Sequence, residues 1–451
     1  MRKRISAFFS VLAAIVLLTV PASAASSGST LKIICADAGQ VIFTPPGSTQ
    51  YAYRYGPAIL IDGDRIDIWA SAPPLVSNGV RYGNDSIEYI RSTDGGKTWT
   101  EWKTVLYPTL NSEDQWSTCD PGAFKYGDYY YVGYTGSPEF RTNPDKEKQV
   151  NNLFIARAKN PEGPYEKWNG NGWGGDPYAI TRYSGDGVGC SMPSFTVKGD
   201  TLYMYYVDQT HPDQDWNSEG NISVSTFSLK DPNWPGNELS NKMCENKPEE
   251  VRYCPDIDKF IGFQLKGGWD YDSYVEIYES TDGVNFTKTS SFRNNFPHYA
   301  HNIGISGNNL GQLDLSIQNY IGTAYTPTGV EAWWGHWHTQ LIPLYIREEQ
   351  PSSTTPSQPS GSTDSSSRKP TTSSVGSTDG KSSETEVSEP QNSNIESTVS
   401  DNKDKDKEVN NKTEQQEETS YLWLYIVIGA VVVLAGAGTA VYFLVIKKKH
   451  V

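Results

Sequence analysis

The sequence predicts an all-β protein built as a five-bladed β-propeller, and three observations carry that expectation. The first is the stretch Cys119–Gly136, which reads C-D-P-G-A-F-K-Y-G-D-Y-Y-Y-V-G-Y-T-G. An Asp-Pro start, an apolar run, a Gly-Asp turn and a Tyr-rich run describe two antiparallel strands joined by a tight turn. The second is that this unit recurs. It returns as Gly56-Pro57 with Gly63-Asp64 and Trp69, and as Met192-Pro193 with Gly199-Asp200, Tyr203, Tyr205 and Tyr206. Shorter versions follow at Cys254-Pro255 and at His301-Asn302, the latter with Gly304, Gly307, Gly311 and a strand-like run from Leu313 to Tyr325. Five starts about 50 to 70 residues apart, with several short strands in each period, match a ring of four-stranded blades. The third observation is that Leu31–Cys35 and Gln340–Ile346 both read as strands at opposite ends of the repeats. Pairing them would complete the fifth blade and remove two exposed edges.

Outside the repeats the chain reads differently. Residues 1–24 carry Arg2, Lys3 and Arg4, an apolar run from Ala7 to Val20, then Ala22-Ser23-Ala24, the order of a secretory signal with its cleavage site. The propeller is expected over residues 25–349. Residues 350–420 run from Ser, Thr and Pro into Glu, Asp, Lys and Asn, a composition that cannot bury enough apolar surface to fold, so a disordered stalk is expected. Residues 421–446 contain no charged side chain and would span about 39 Å as a helix, enough for one transmembrane crossing. The lysines in the tail, residues 447–451, place that tail in the cytoplasm and the repeats outside, on a cell membrane crossed once.

The formal charge of −15 excludes an unaided nucleic-acid partner, which needs a basic surface. The five cysteines of an exported chain leave at least one unpaired. Cys244 with Cys254 and Cys119 with Cys190 are the pairs whose positions allow disulfides, the alternative being that all are small buried side chains. Sequons stand at Asn84, Asn221, Asn285 and Asn411.

Ser92-Thr93-Asp94-Gly95-Gly96-Lys97-Thr98-Trp99 and Ser280-Thr281-Asp282-Gly283-Val284-Asn285-Phe286 resemble the Asp box of sialidases, a turn-forming rim element in which Asp and Ser bond the hairpin and the aromatic packs beneath it. Ala156 through Tyr165, with Asn160-Pro161-Glu162-Gly163-Pro164 inside it and Trp168 after it, together with Asp120-Pro121 and the Tyr-rich strand, resembles the five-bladed glycoside hydrolases of family 43 over Tyr51–Ile346. That resemblance implies an Asp base at the start of blade 1, an Asp modulator at blade 2 and a Glu acid at blade 3, with oligosaccharide as substrate. Asp120 stands at the modulator position. The base position is Gly56, and Cys190, Ser191 and Met192 precede Pro193 where the acid is expected. Asp186 and Asp256 are the substitutes the sequence offers first, and Asp208, Asp270 and Asp272 are further carboxylates in similar loops. His301 resembles the blade 5 histidine that faces the central channel in that family, where a cation such as Ca2+ is sometimes bound.

Tyr53-Arg54-Tyr55-Gly56-Pro57 is similar to the opening of sialidases, in which the Arg joins two others to grip a sugar carboxylate. Arg81, Arg182 and Arg252 are the chain's candidates to complete such a trio with Arg54, and Tyr55 would line the same mouth. Trp116, Trp173, Trp216, Trp269, Trp333, Trp334 and Trp337 fall in loops or blade ends, where flat rings can stack on sugars. Trp116 and Trp173 are the leading candidates. The expectation is therefore a membrane-tethered, cell-surface glycoside hydrolase with a rearranged acid and base. A glycan-binding propeller without turnover, a sialidase-like enzyme and a protein-interaction scaffold are the alternatives.

Overall fold

The computed structural model describes residues 29–46, 52–138, 142–143, 146–147, 150–182, 188–210, 220–328 and 335–349. They form an all-β propeller of five four-stranded antiparallel blades. Blade 1 consists of Tyr55–Asp62, Arg65–Ala72, Ser86–Ser92 and Lys103–Leu106, and blade 2 of Ser117–Tyr126, Tyr129–Ser137, Asn152–Ala158 and Glu166–Lys167. Blade 3 is Gly189–Lys198, Thr201–Gln209, Asn221–Ser228 and Glu238–Met243, and blade 4 is Glu250–Cys254, Lys259–Lys266, Tyr274–Ser280 and Thr287–Phe292. Blade 5 contains Ala300–Gly307, Asn319–Tyr325 and His338–Glu349, and its outermost strand is Thr30–Cys35 from the start of the chain. Ile33 pairs with Ile346 in an antiparallel register, so the two ends close the ring as the pattern implied. A short parallel contact of Ser306 and Gly307 with Ile59 and Leu60 links blade 5 to blade 1.

Strand alternation explains why each blade has two useful faces. Successive side chains point to opposite sides, so Ala123 of blade 2 faces blade 1 with Trp69, whereas Phe124 faces blade 3 with Phe195. The same rule yields an apolar cluster between each pair of neighbouring blades. Burying one such aromatic contributes about 1.5–3 kcal/mol. The segment after Ala158 serves this packing too, since Trp69 Nε1 donates to Pro161 O at 3.1 Å and to the Tyr165 hydroxyl at 3.0 Å.

On the axis, the innermost strands approach too closely for a side chain. A Cβ at Gly122 would lie 1.9 Å from Pro193 O of blade 3, and one at Gly304 would lie 1.6 Å from Pro57 O of blade 1. Each Pro carbonyl thus occupies the space a neighbouring side chain would need. A buried ion pair joins three blades nearby: Arg252 meets Glu250 at 2.8 Å and donates to Ser194 Oγ at 2.7 Å and to Ile305 O.

Of the two readings of the cysteines the buried one holds: all five are free and buried, with Cys244 and Cys254 in different clusters, as are Cys119 and Cys190. Two expectations are corrected. Cys254-Pro255 ends the innermost strand of blade 4 instead of starting it, because Pro255–Asp258 make the turn before Lys259. The strand expected from Leu313 begins at Asn319, because Asp314 accepts bonds from Ser316 N and Oγ and turns the chain first. Among the described residues no helix is long and apolar enough to cross a membrane. The segments read as signal, stalk and transmembrane helix lie outside the described residues.

Gly304→Ala should cost about 3 kcal/mol or more of unfolding free energy, since neither backbone can yield. Gly172→Ala, with open space at its Cβ, should change it by less than about 0.5 kcal/mol. Urea denaturation of both variants measures the difference, and equal losses would contradict the axial packing described.

Candidate functional site

Four innermost strands carry a β-bulge at one equivalent place, and each bulge holds a residue with positive φ: Gly56 (56°), Asp120 (48°), Met192 (56°) and Asn302 (56°). A bulge bends its strand and re-aims the side chain. Here the four positions converge. Asn302 Nδ2 lies 3.4 Å from Asp120 Oδ1 and 3.7 Å from Met192 Sδ, and a Cβ at Gly56 would stand 3.5 Å from Asp120 Oδ1. The backbone between blades is fixed by hydroxyls of the second strands: Asp120 N donates to Ser71 Oγ at 2.7 Å, and Met192 N to Thr135 Oγ1 at 2.9 Å.

Asp120 is the carboxylate of this floor. Burial is the main cause that raises its pKa to about 6, with a further push from the charge of Asp85; hydrogen bonds from Thr135 and Cys119 act the other way. Asp85 stands behind it through a chain of contacts. Its Oδ2 accepts from Ser117 Oγ at 2.9 Å, Ser117 Oγ lies 3.4 Å from Cys119 Sγ, and Cys119 Sγ lies 3.5 Å from Asp120 Oδ2. Tyr53 donates to Asp85 Oδ1 at 2.6 Å and Asn84 to Oδ2 at 3.2 Å. Burial nevertheless raises the Asp85 pKa.

One side of this convergence is aromatic. His301 stacks on Trp337 with centroids 4.4 Å apart and lies 4.2 Å from Trp269 and 5.4 Å from Tyr55. Burial lowers the His301 pKa to about 3, so the ring is neutral at physiological pH. It is placed as a packing element, and among the described residues no three His, Cys, Asp or Glu side chains converge as a metal-binding group. The donor set around Asp120, with Met192, Gly56 and one Asn, does not fit a Ca2+ site.

The other sequence candidates are dispersed. Asp186 lies outside the described residues. Asp256 is exposed in the turn after Cys254, at the opposite end of its strand from Glu250, where it accepts from Leu315 N at 3.2 Å. Asp208 bonds Ser223 Oγ and Thr210 N. Trp173 packs within 6 Å of Tyr131, Trp168 and Trp234 and under Arg157, so it is a structural ring at the outer edge of blade 2. Trp116 is half-buried just before blade 2, its backbone bonded to Asn84 and Ser137. Tyr55 is buried against Tyr53, His301 and Trp337.

An arginine trio is not assembled. Arg54 pairs with Glu88 at 2.5 Å and lies over the Phe43 ring, Arg182 pairs with Glu113 at 2.7 Å, and Arg252 holds Glu250 in the core. Arg81 bonds Gly83 O and Asn84 on an exposed hairpin. Asp94 and Asp282 are turn formers: Asp94 accepts from Thr98 N and Oγ1, which with Ser92 holds its pKa at about 2, and Asp282 accepts from Val284 N and Asn285 N. Sequence reading missed Asn302 and Asp85 as site residues, whereas Trp269 was among the loop tryptophans it offered for stacking. Aligning the residue before each Pro, or its Ile303 equivalent, brings out Asn302; nothing in the sequence marks Asp85.

No family model matches the chain, and no curated protein does. Solved structures of similar shape include an α-L-arabinofuranosidase from Podospora anserina in complex with cellotriose, at 12% identity and TM-score 0.47, covering 71% of this chain and 98% of that one. Others are a family 117 glycoside hydrolase of Zobellia galactanivorans (15%, 0.45, covering 71% and 91%) and a family 43 enzyme from Xanthomonas citri complexed with xylotriose (13%, 0.45, covering 67% and 90%).

The raised pKa has a signed consequence. The folded chain holds the Asp120 proton up to about pH 6, against an ordinary 3.8, so this group's contribution to stability is full below pH 3.8 and is lost as pH rises through 6. A gap of that size corresponds to on the order of 3 kcal/mol. Asp120→Asn, neutral throughout, should therefore gain about that much on the parent between pH 4 and pH 7, read by urea unfolding at each pH. A difference independent of pH would show that Asp120 titrates normally.

Proposed function

We propose that this propeller is a carbohydrate-active domain that takes a neutral glycan into its axial recess and hydrolyses a glycosidic bond with Asp120 as proton donor. The observation that supports this reading is Asp120 itself, a carboxyl on the axis that still holds its proton near pH 6, the state a general acid needs. Asn302 at 3.4 Å orients it, and neutral His301 with Trp269 and Trp337 supplies an apolar wall. In the step proposed, the Asp120 proton passes to the glycosidic oxygen as its bond to the anomeric carbon breaks. Water adds to that carbon, and the proton it releases restores the Asp120 carboxyl. The signal-like residues 1–24 and the uncharged residues 421–446 support display of the domain outside a cell membrane.

Gly56 and Met192 favour a second reading, in which the recess binds a glycan without turnover, because neither equivalent position offers a second carboxylate. Sugar release from a mixed glycan panel, followed by mass spectrometry, separates the two. The hydrolase reading expects release that falls as pH rises through about 6 and drops at least about 100-fold in Asp120→Asn. Binding by the parent with no release at any pH would establish the second reading.

A further inference from the structure

Asp85 is a buried carboxyl that the reaction above does not use, and the strand chemistry of blade 2 connects it to Asp120. It stands just before Ser86–Ser92 and bridges in parallel to Ser117, with Thr118 N donating to Asp85 O at 3.3 Å. Ser117 and Cys119 alternate on one strand, so both side chains point to the same face. By that rule Asp120 would face the other way. Its φ of 48° at the bulge turns the carboxyl back, and Oδ2 comes within 3.5 Å of Cys119 Sγ. A continuous row results, from Asp85 through Ser117 and Cys119 to Asp120, with contacts of 2.9, 3.4 and 3.5 Å.

The row has a direction because its two middle members carry a single hydrogen each. Burial raises the Asp85 pKa, but Tyr53, Ser117 and Asn84 all donate to it and the charge of Arg81 also favours the anion. An anion at that end claims the Ser117 hydrogen. Ser117 Oγ is then left as an acceptor, the Cys119 thiol turns its hydrogen toward it, and the sulfur presents lone pairs to Asp120 Oδ2. That arrangement favours a hydrogen on Oδ2, while Asn302 Nδ2 donates to Oδ1. With the Ser117 hydrogen reversed, the thiol would donate to Oδ2 and favour the carboxylate instead. The neighbouring titratable groups among the described residues add no competing charge: burial keeps Tyr53 and Tyr55 protonated and His301 neutral.

We propose that Asp85 is a positioning residue for Asp120: through Ser117 it turns the Cys119 thiol into an acceptor for the axial carboxyl and so keeps that carboxyl in its acid form. Its effect on turnover rests on the hydrolase reading above, whereas its effect on Asp120 does not.

Titration of Asp120 in the full-length chain tests this, by carbon NMR of isotope-labelled aspartate carboxyls, the Asp120 resonance being the one that Asp120→Asn lacks. The parent midpoint is expected at about 6. Asp85→Asn removes the charge and offers an amide N–H to Ser117, which reverses the row, so the midpoint should fall by about one pH unit. Ser117→Ala leaves Asp85 in place but frees the thiol to donate to Oδ2, and should lower the midpoint too. Should Asp85→Asn fail to fold, Ser117→Ala carries the measurement. Parent-like midpoints in both variants would mean a structural role only and overturn the proposal. A fall in Asp85→Asn with none in Ser117→Ala would also overturn it, since Asp85 would then act as a distant charge without the row. On the glycan panel, the upper pH limit of sugar release should move down with the midpoint. Lowered midpoints with no release from any glycan would leave the row standing and overturn the hydrolase reading, and release with unmoved midpoints would do the reverse.

Discussion

The structure depends first on how closely the five innermost strands approach on the axis. Pro57 and Pro193 carbonyls fill the positions that side chains of Gly304 and Gly122 would take, and this contact sets the distance between blades. Packing between blades then follows from it, because rings such as Phe124 and Phe195 meet with centroids 5.3 Å apart only when the backbones are that near. The bulges just above the contact have the same origin. A strand that must pass close to its neighbour and then diverge accommodates an extra residue, and the left-handed residues Asp120, Met192 and Asn302 bring their side chains together there.

Much of the fold was legible in the sequence because it lies in local chemistry. Gly63-Asp64, Gly127-Asp128 and Gly199-Asp200 occupy the tight turns between the first two strands of blades 1, 2 and 3, as a Gly-Asp signal implies. Blade 4 was misplaced because its turn uses Pro255–Asp258, with Asp258 at φ 52°, and the Pro imitates the start of a strand. The cysteines were left open between pairing and burial for a different reason. Equivalent positions in neighbouring repeats lie near each other in sequence pattern, yet alternation sends Cys119 and Cys190 into separate clusters.

The site was legible only in part. Asp120 stands out through its Asp-Pro pair, but its partners come from strands far apart in sequence: Asn302 from blade 5, Met192 from blade 3 and Ser71 from blade 1. Trp173 and Trp269 look alike in the sequence, each in a Gly-rich loop. The difference is tertiary, since Tyr131, Trp168 and Trp234 enclose the first, whereas the second packs on His301 and Trp337 and stays 37% exposed. Arg54 shows the same limit, because nothing local announces Glu88 as its partner.

Closure of the ring by Thr30–Cys35 against His338–Glu349 ties completion of the domain to the order in which the ribosome makes it. The first strand of the propeller emerges early and its partner follows roughly three hundred residues later, so their pairing closes a very long loop, at an entropic cost that grows only slowly with its length. Until then blade 5 lacks the one strand that joins Thr30–Cys35 to Asn319–Tyr325, and the strand near the beginning of the chain has an unpaired edge open to other chains. A message truncated before His338 would encode four blades that no fifth can join. The last strand of the propeller to be synthesised therefore acts as a checkpoint on the strands made before it.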